Sequence, residues 1–270
     1  MRLINILAFG VAVLSAQAGL ACGADSNCEM GDRHYRIAMP EGHQAGTPVG
    51  AIVFSHGHRG SAAGVMRNGF MRKLVSDMGL ALIATKSKDS GWDIPNAPRR
   101  KDSDGSEEYA YFEQVLEDAA ARFPIDRDRI VASGFSAGGM VVWNLACARP
   151  DLFAGFAPVS GTFWLTPPAE CATPTTSIVH IHGDADRTVP LTGRKIRDTK
   201  QGEVAEALAM YQKIGQFGAA QTSTSGDLTC QNRENASGEI LEFCLFPGGH
   251  SYRVAFLKYA WDRLETAGRL

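Results

Sequence analysis

The chain has 270 residues, 44% of them hydrophobic, and a formal net charge of -2 from 27 basic and 29 acidic side chains. That length suits one large α/β core better than two small ones. Acids and bases are interspersed and no basic run is long enough to follow a phosphate backbone, so nucleic acid is not the expected partner.

The opening segment, MRLINILAFGVAVLSAQAGLACG, carries one arginine, an apolar stretch from Leu3 to Leu14 and the small-residue site Ala16-Gln17-Ala18. It reads as a secretory signal peptide over residues 1–21, cleaved after Ala18 or Ala21. The apolar run is shorter than the roughly 20 residues of a spanning helix, and no later stretch is apolar enough to span. The expectation is export to the extracellular or periplasmic space. Six cysteines remain, and an even number in an exported chain argues for disulfides. Proximity along the chain suggests Cys22 with Cys28, Cys147 with Cys171 and Cys230 with Cys244, although other pairings are open in principle. A thiolate metal site lacks any Cys-x-x-Cys pair, and no metal or other cofactor is expected.

After the signal, HYRIAMP alternates well enough to be a first strand. GAIVFSHGHRG is an unbroken apolar run ending in a Gly-rich loop, as expected of a strand buried on both faces. VMRNGFMRKLVSDMG has helical spacing and stops at Gly79, and LALIATK is the next buried strand. Ser87 to Lys101 has glycine, proline and charge without periodicity and reads as a long loop. DSDGSEEYAYFEQVLEDAAARF reads as a helix with an Asp or Ser cap, acids in its first turn and a stripe through Tyr111, Val115, Leu116 and Ala119. Its acidic start has a faint calcium-loop look, but EF-hand spacing fails. A strand from Ile130 and a helix ending near Pro150 come next, then strand-loop units in FAGFAPVSG and TSIVHIHGDADRTVP. EVAEALAMYQKIGQF is a helix. EILEFCLFPGGHSYRV holds a strand, a Gly turn and the start of a last helix through Phe256, Tyr259 and Leu264. Strands alternating with helices imply an α/β fold, a mostly parallel sheet with helices on both faces, with residues 22–270 as one domain. Functional residues in such sheets gather at the carboxyl ends of strands.

The stretch RIVASGFSAGGMVVWNLA, from Arg129, turns from strand to helix through Gly134-Phe135-Ser136-Ala137-Gly138. Gly-x-Ser-x-Gly at that junction is the nucleophile elbow of α/β-hydrolases, which exposes a serine oxygen above a helix N-terminus. An attacking Ser136 needs an imidazole in reach and a carboxylate to fix its tautomer, in the chain order Ser, Asp or Glu, His. His180 and His182 lie within an apolar strand, where packing or structural roles are commoner. His250 follows Pro247-Gly248-Gly249 at a strand end and is the expected base. Of Asp184, Asp186 and Asp198, Asp186 sits far enough past its strand to turn inward, while Asp184 can brace the loop. The expected oxyanion donors are the amides of Ala137 and of His58 in SHGHRG. His180-x-His182-x-Asp184 has a partial metallohydrolase look but lacks supporting ligands. Trp92, Trp143 and Tyr252 are candidates for stacking on an acyl or aromatic group.

GFSAGGMVVWNLACARPDLFAGFAPVSG, HIHGDADRTVP and FPGGHSY together resemble the secreted polyhydroxybutyrate depolymerase family, itself similar to bacterial feruloyl and acetyl-xylan esterases. The similarity runs from about His34 to the C-terminus. It implies an α/β-hydrolase fold, a triad of Ser136, Asp186 and His250, and disulfides at Cys147 with Cys171 and Cys230 with Cys244. The loop reads HGHRG where many relatives have Cys or Gly after His-Gly, and Tyr252 stands where Trp-Pro is frequent. No separate polymer-binding domain is expected. The resulting expectation is a monomeric, exported serine esterase acting on hydroxyalkanoate, feruloyl or acetyl esters. A peptidase on the same fold and a non-catalytic polymer- or carbohydrate-binding protein are the alternatives.

Overall fold

The apolar runs of the sequence become the centre of a ten-stranded sheet. A computed structural model describes residues 22–270, and the segment read as a signal peptide, residues 1–21, lies outside them. The chain begins with the hairpin β1 (Cys28–Met30) and β2 (Arg33–Ala38), then β3 (Val49–Ser55), helices α1 (Ala62–Arg67) and α2 (Gly69–Asp77), and β4 (Ala81–Thr85). Helix α3 (Ser106–Arg122) leads to β5 (Ile125–Phe135), α4 (Ala137–Ala148), β6 (Gly155–Val159) and β7 (Ile178–Gly183). A short hairpin, β8 (Arg194–Ile196) and β9 (Thr199–Gln201), precedes α5 (Val204–Ile214). The chain finishes with β10 (Gln221–Ser225), β11 (Leu228–Glu234), β12 (Ile240–Phe246) and α6 (Ala255–Thr266).

In the large sheet the strands lie in the order β1-β2-β4-β3-β5-β6-β7-β12-β11-β10. Pairing is parallel from β4 through β3, β5, β6 and β7 to β12, and antiparallel at both edges. This is the α/β-hydrolase fold. The parallel strands β4, β6 and β7 are buried along their whole length because helices cover both faces. One face packs Phe112 and Val115 of α3, Val141 and Trp143 of α4 and Tyr211 of α5. The other packs Val65 of α1, Val75 of α2 and Trp261 and Leu264 of α6.

Two local expectations are corrected. The helix read through VMRNGFMRKLVSDMG is two helices, because Asn68 leaves helical geometry at ψ 89° and its side chain accepts the Met71 amide as the cap of α2. Helix α3 starts after Gly105 in a left-handed turn rather than on an Asp or Ser cap. Asp104 instead accepts the Ser106 amide and Ser103 the Gly105 amide, which uses the acidic run as a turn.

The cysteines pair as Cys22–Cys28, Cys147–Cys171 and Cys230–Cys244. The second ties the end of α4 to the segment before β7, and the third joins residues directly opposite one another on β11 and β12. Among the described residues, Cys230, Glu242 and Cys244 are close enough to suggest a metal site, but both sulfurs are consumed by the disulfide. No helix among the described residues is long and apolar enough to cross a membrane.

The crossing of β5 into α4 is the tightest point of the fold. A Cβ at Gly138 would stand 1.9 Å from the Ser55 carbonyl oxygen at the end of β3, and one at Gly134 would stand 2.4 Å from the Gly138 oxygen. Neither neighbour is a flexible side chain, so backbone would have to move. Gly138→Ala is expected to cost more than about 2 kcal/mol in urea unfolding. Gly69→Ala, with no atom within 4 Å of the added carbon, is the control, and equal stability of the two variants would contradict the packing argument.

Candidate active site

Ser136 sits between β5 and α4 at φ 59° and ψ -120°, a conformation that L-residues rarely occupy. Its amide donates to the Val159 oxygen at 2.9 Å, and its own carbonyl accepts the Met140 amide, so the strained residue is held from both sides. Ala137 is the first residue of α4, where an amide has no partner within the helix and the helix dipole is positive. The loop after β3 lies alongside: a Cβ at Gly57 would be 3.6 Å from the Ser136 Cβ. That loop is braced by the Trp92 indole, which donates to the His56 oxygen at 2.9 Å, and by the Arg59 amide, which donates to the Ser90 oxygen. His58 thus lines the same cavity as Ser136 and Ala137.

Asp186 and His250 meet across two loops. The loop after β7 and the loop after β12 are joined by the Asp184 amide on the Phe246 oxygen, the Ala185 amide on the Gly248 oxygen and the Gly248 amide on the Asp184 carboxylate. Gly183 permits this approach, since a Cβ there would be 2.4 Å from the Gly249 oxygen. Asp184 is therefore a loop brace, and Asp198 pairs with Lys101 on the surface. Asp186 Oδ2 lies 2.7 Å from His250 Nδ1, while Oδ1 accepts the Thr188 and Val189 amides. The His250 ring packs against Phe135, the residue before Ser136, with ring centroids 4.6 Å apart and planes tilted by 31°. Burial works to raise the Asp186 carboxyl, but hydrogen bonds from His182, His250 and the two amides outweigh it and hold the group well below the usual carboxylate range. An ionised Asp186 fixes the His250 proton on Nδ1 and leaves Nε2 as a base.

His180 and His182 are structural, as their place in an apolar strand suggests, and their arrangement is more specific than packing. The Trp143 indole can only donate, and it donates to His180 Nδ1 at 2.9 Å. The His180 proton is therefore on Nε2, which donates to His182 Nδ1 at 3.0 Å. The His182 proton is in turn on Nε2, which donates to the Val189 oxygen at 2.8 Å and lies 3.4 Å from Asp186 Oδ2. A chain of neutral rings, fixed in tautomer by one indole, ends on the segment that holds Asp186. With every ring nitrogen engaged, the motif offers no free lone pair to a metal.

Of the aromatic candidates, Trp143 is a fully buried residue of α4 and Tyr252, half-buried, packs among Phe54, Phe135 and Phe256; neither lines the cavity that holds Ser136. Trp92 lines the cavity only beside its role as a brace. The cavity beside Ser136 has a volume of about 340 Å³, and the sequence reading missed Met140, Trp164 and a set of arginines in its wall. Trp164 is brought there by a bridge to Gln201 of β9, a contact between distant segments with no local signature.

Comparison with known proteins gives one family match and several relatives. The phospholipase/carboxylesterase family matches residues 91–206. Feruloyl esterase B of Thermothelomyces thermophilus is 32% identical over 172 residues, 61% of this chain and 58% of that protein. Poly(3-hydroxyalkanoate) depolymerase C of Paucimonas lemoignei is 36% identical over 73 residues, 27% of this chain and 16% of that protein. The chain spans about half the length of the curated relatives it matches. Among solved structures, an acetyl xylan esterase from Aspergillus awamori superimposes with a TM-score of 0.63 at 14% identity, over 88% of this chain and 94% of that one. At that identity the likeness speaks for the fold.

The buried histidines set the acid limb of stability. Burial holds His56 down at about 4 and His180 well below its ordinary value, with the neighbouring His182 adding to the latter. Below about pH 6.5 the unfolded chain binds protons at these positions that the native state refuses, so stability falls as pH drops. The unfolding free energy from urea titration is expected to decline between about pH 7 and pH 5, with a slope approaching that set by the uptake of two protons on unfolding; a flat profile there would contradict neutral rings at His56 and His180. His182→Phe leaves the His180 N–H and the Val189 carbonyl without partners, and a loss of about 2 kcal/mol on urea unfolding is expected. A loss below about 0.5 kcal/mol would remove the relay from the account.

Proposed function

With an α/β-hydrolase fold and relatives among the carboxylesterases as the premise, we propose that this protein cleaves carboxylic esters through an acyl-enzyme on Ser136. The observation that carries the reading is the Asp186–His250 pair, 2.7 Å apart, with the His250 ring packed against the residue preceding a strained Ser136. His250 Nε2 takes the Ser136 proton as its oxygen attacks the ester carbonyl, and the forming imidazolium is balanced by Asp186. The amides of Ala137 and His58 receive the tetrahedral oxyanion, assisted by the positive end of α4. Collapse of that intermediate expels the alcohol, which takes the proton from His250, and water then repeats the sequence on the acyl-enzyme.

The strain at Ser136 suits this role. It is held by glycines 134 and 138 and by backbone bonds to Val159 and Met140, so the hydroxyl is presented without reorganisation during reaction. The acyl groups are hydroxyalkanoate, feruloyl or acetyl, as in the names of the relatives. Residues 22–270 act as one catalytic domain and as a monomer, after export directed by residues 1–21. The three disulfides support an oxidising compartment.

On a panel of p-nitrophenyl, feruloyl and hydroxybutyrate esters, the mature protein is expected to hydrolyse at least one class at a rate unaffected by a chelator. Ser136→Ala is expected to lower kcat on the order of a million-fold while the protein stays folded. Undiminished turnover by that variant, or cleavage of peptides alone, would overturn the assignment.

A further inference from the structure

The wall of the cavity beside Ser136 has an unusual charge. It is lined by Arg59, Arg99, Arg100, Arg194 and Arg197, against a single acid, Asp89. Asp89 is already taken by Arg100 at 2.7 Å, and Arg100 also reaches the buried Asp93. Arg194 donates to Gln201. Arg59, Arg99 and Arg197 have no acidic partner among the described residues, and Asp198, next to Arg197, pairs with Lys101. Asp186 lies beneath the site with both oxygens occupied by hydrogen-bond donors. The chain as a whole carries a net charge of -2, so the excess of cations belongs to this cavity and not to the protein at large.

These arginines come from separate parts of the chain. Arg59 lies in the loop after β3, Arg99 lies in the long segment before α3, and Arg197 stands at the tip of the β8–β9 hairpin with φ 56°. The hairpin is stapled to the long segment by the Thr199 hydroxyl on the Asn96 oxygen and by the Lys101–Asp198 pair. It is joined to the Phe163–Leu165 stretch by the Leu165 amide on the Lys200 oxygen and the Gly202 amide on the Phe163 oxygen. Two built walls thus hold like charges at one opening, which costs self-repulsion unless an anion is received there. The field is felt locally: after burial, the charges of Arg59 and Arg99 are what hold the His58 imidazole below its ordinary value.

Resting on the ester-hydrolase reading of Ser136, we propose that the natural substrate is an ester bearing a carboxylate, which Arg99 and Arg197 receive at the mouth of the cavity. Guanidinium groups suit this task because their planar fork matches two carboxylate oxygens. The cavity volume of about 340 Å³ fits a small-molecule end. A short hydroxyacid oligomer with a free acid end, and an ester on an acidic sugar chain, share this chemistry. The oxyanion amides and the arginines then act on different parts of one substrate: the first on charge that forms during reaction, the second on charge already present.

The test compares butyryl esters of 4-hydroxybutyric, 5-hydroxypentanoic and 6-hydroxyhexanoic acid, whose free carboxylate lies on the alcohol side as in both sources, with butyryl esters of n-alcohols of matching length. At low salt, kcat/KM is expected to be about tenfold higher for the charged member of a pair, and the advantage should shrink as salt is added. In a double variant, Arg99→Gln with Arg197→Gln, the ratio should fall toward one, while Arg253→Gln, which removes an exposed arginine paired with Asp227, leaves it unchanged. Equal or faster turnover of the neutral ester at every length, or a ratio that survives the double variant, overturns the proposal. If neither ester of any pair is cleaved, the ester-hydrolase reading fails instead. The charge proposal is then decided by calorimetric titration with suberate: binding lost in the double variant sustains an anion site, and no binding by the unaltered protein ends it. Parallel hydroxybutyrate dimer and acetylated polyuronate assays distinguish the two sources of carboxylate.

Discussion

The backbone at Ser136 can turn from strand to helix in one residue only because two neighbours have no side chain. Gly138 lies so close to the Ser55 carbonyl, and Gly134 to Gly138, that β3, β5 and α4 meet at what is nearly a single point. The remaining geometry follows from that contact. It brings the loop after β3 against the serine, points the first amide of α4 toward the same space, and lets parallel β6 supply the Val159 oxygen that pins the Ser136 amide. Strain of this kind costs on the order of 1–3 kcal/mol, which the buried faces of the surrounding sheet must absorb.

A second layer of constraint keeps the partners of Ser136 in place. Loops after β7 and β12 would be free to drift if they rested on side chains alone, but they exchange backbone hydrogen bonds and are tied by Asp184. Beneath them the indole of Trp143 dictates the tautomer of His180 and, through it, that of His182. The burial that keeps the His180 ring neutral makes it a liability in acid, so the device that steadies Asp186 also limits the pH range of the fold.

Much of the architecture is legible in the sequence because parallel strands covered on both faces must be continuous apolar runs. IVFS, ALIAT and SIVHIHG announce themselves in that way, and the Gly-x-Ser-x-Gly corner gives the elbow between β5 and α4. The polar hairpins are silent: RKI and TKQ have no hydrophobic alternation, and β10 is exposed throughout. The convergence of Arg99 and Arg197 is equally hidden, since the residues lie far apart in the chain and meet only because Thr199 and Lys101 staple two loops. Trp143 and Tyr252 show the reverse case. Nearness in sequence to the serine and histidine suggested ligand contact, whereas the fold buries Trp143 and sets a half-buried Tyr252 against Phe54, Phe135 and Phe256. Asp186 is distinguishable from Asp184 by its distance past the strand, but the part Asp184 plays in joining the loops requires the fold.

The central claim is that Ser136 is a nucleophile made ready by its surroundings. Treating the folded mature protein with a fluorophosphonate and mapping the adduct by peptide mass spectrometry tests it directly. The account predicts a single stoichiometric adduct on Ser136, lost when the protein is unfolded before labelling. An unlabelled Ser136 in folded protein, or labelling spread over other serines, would contradict it.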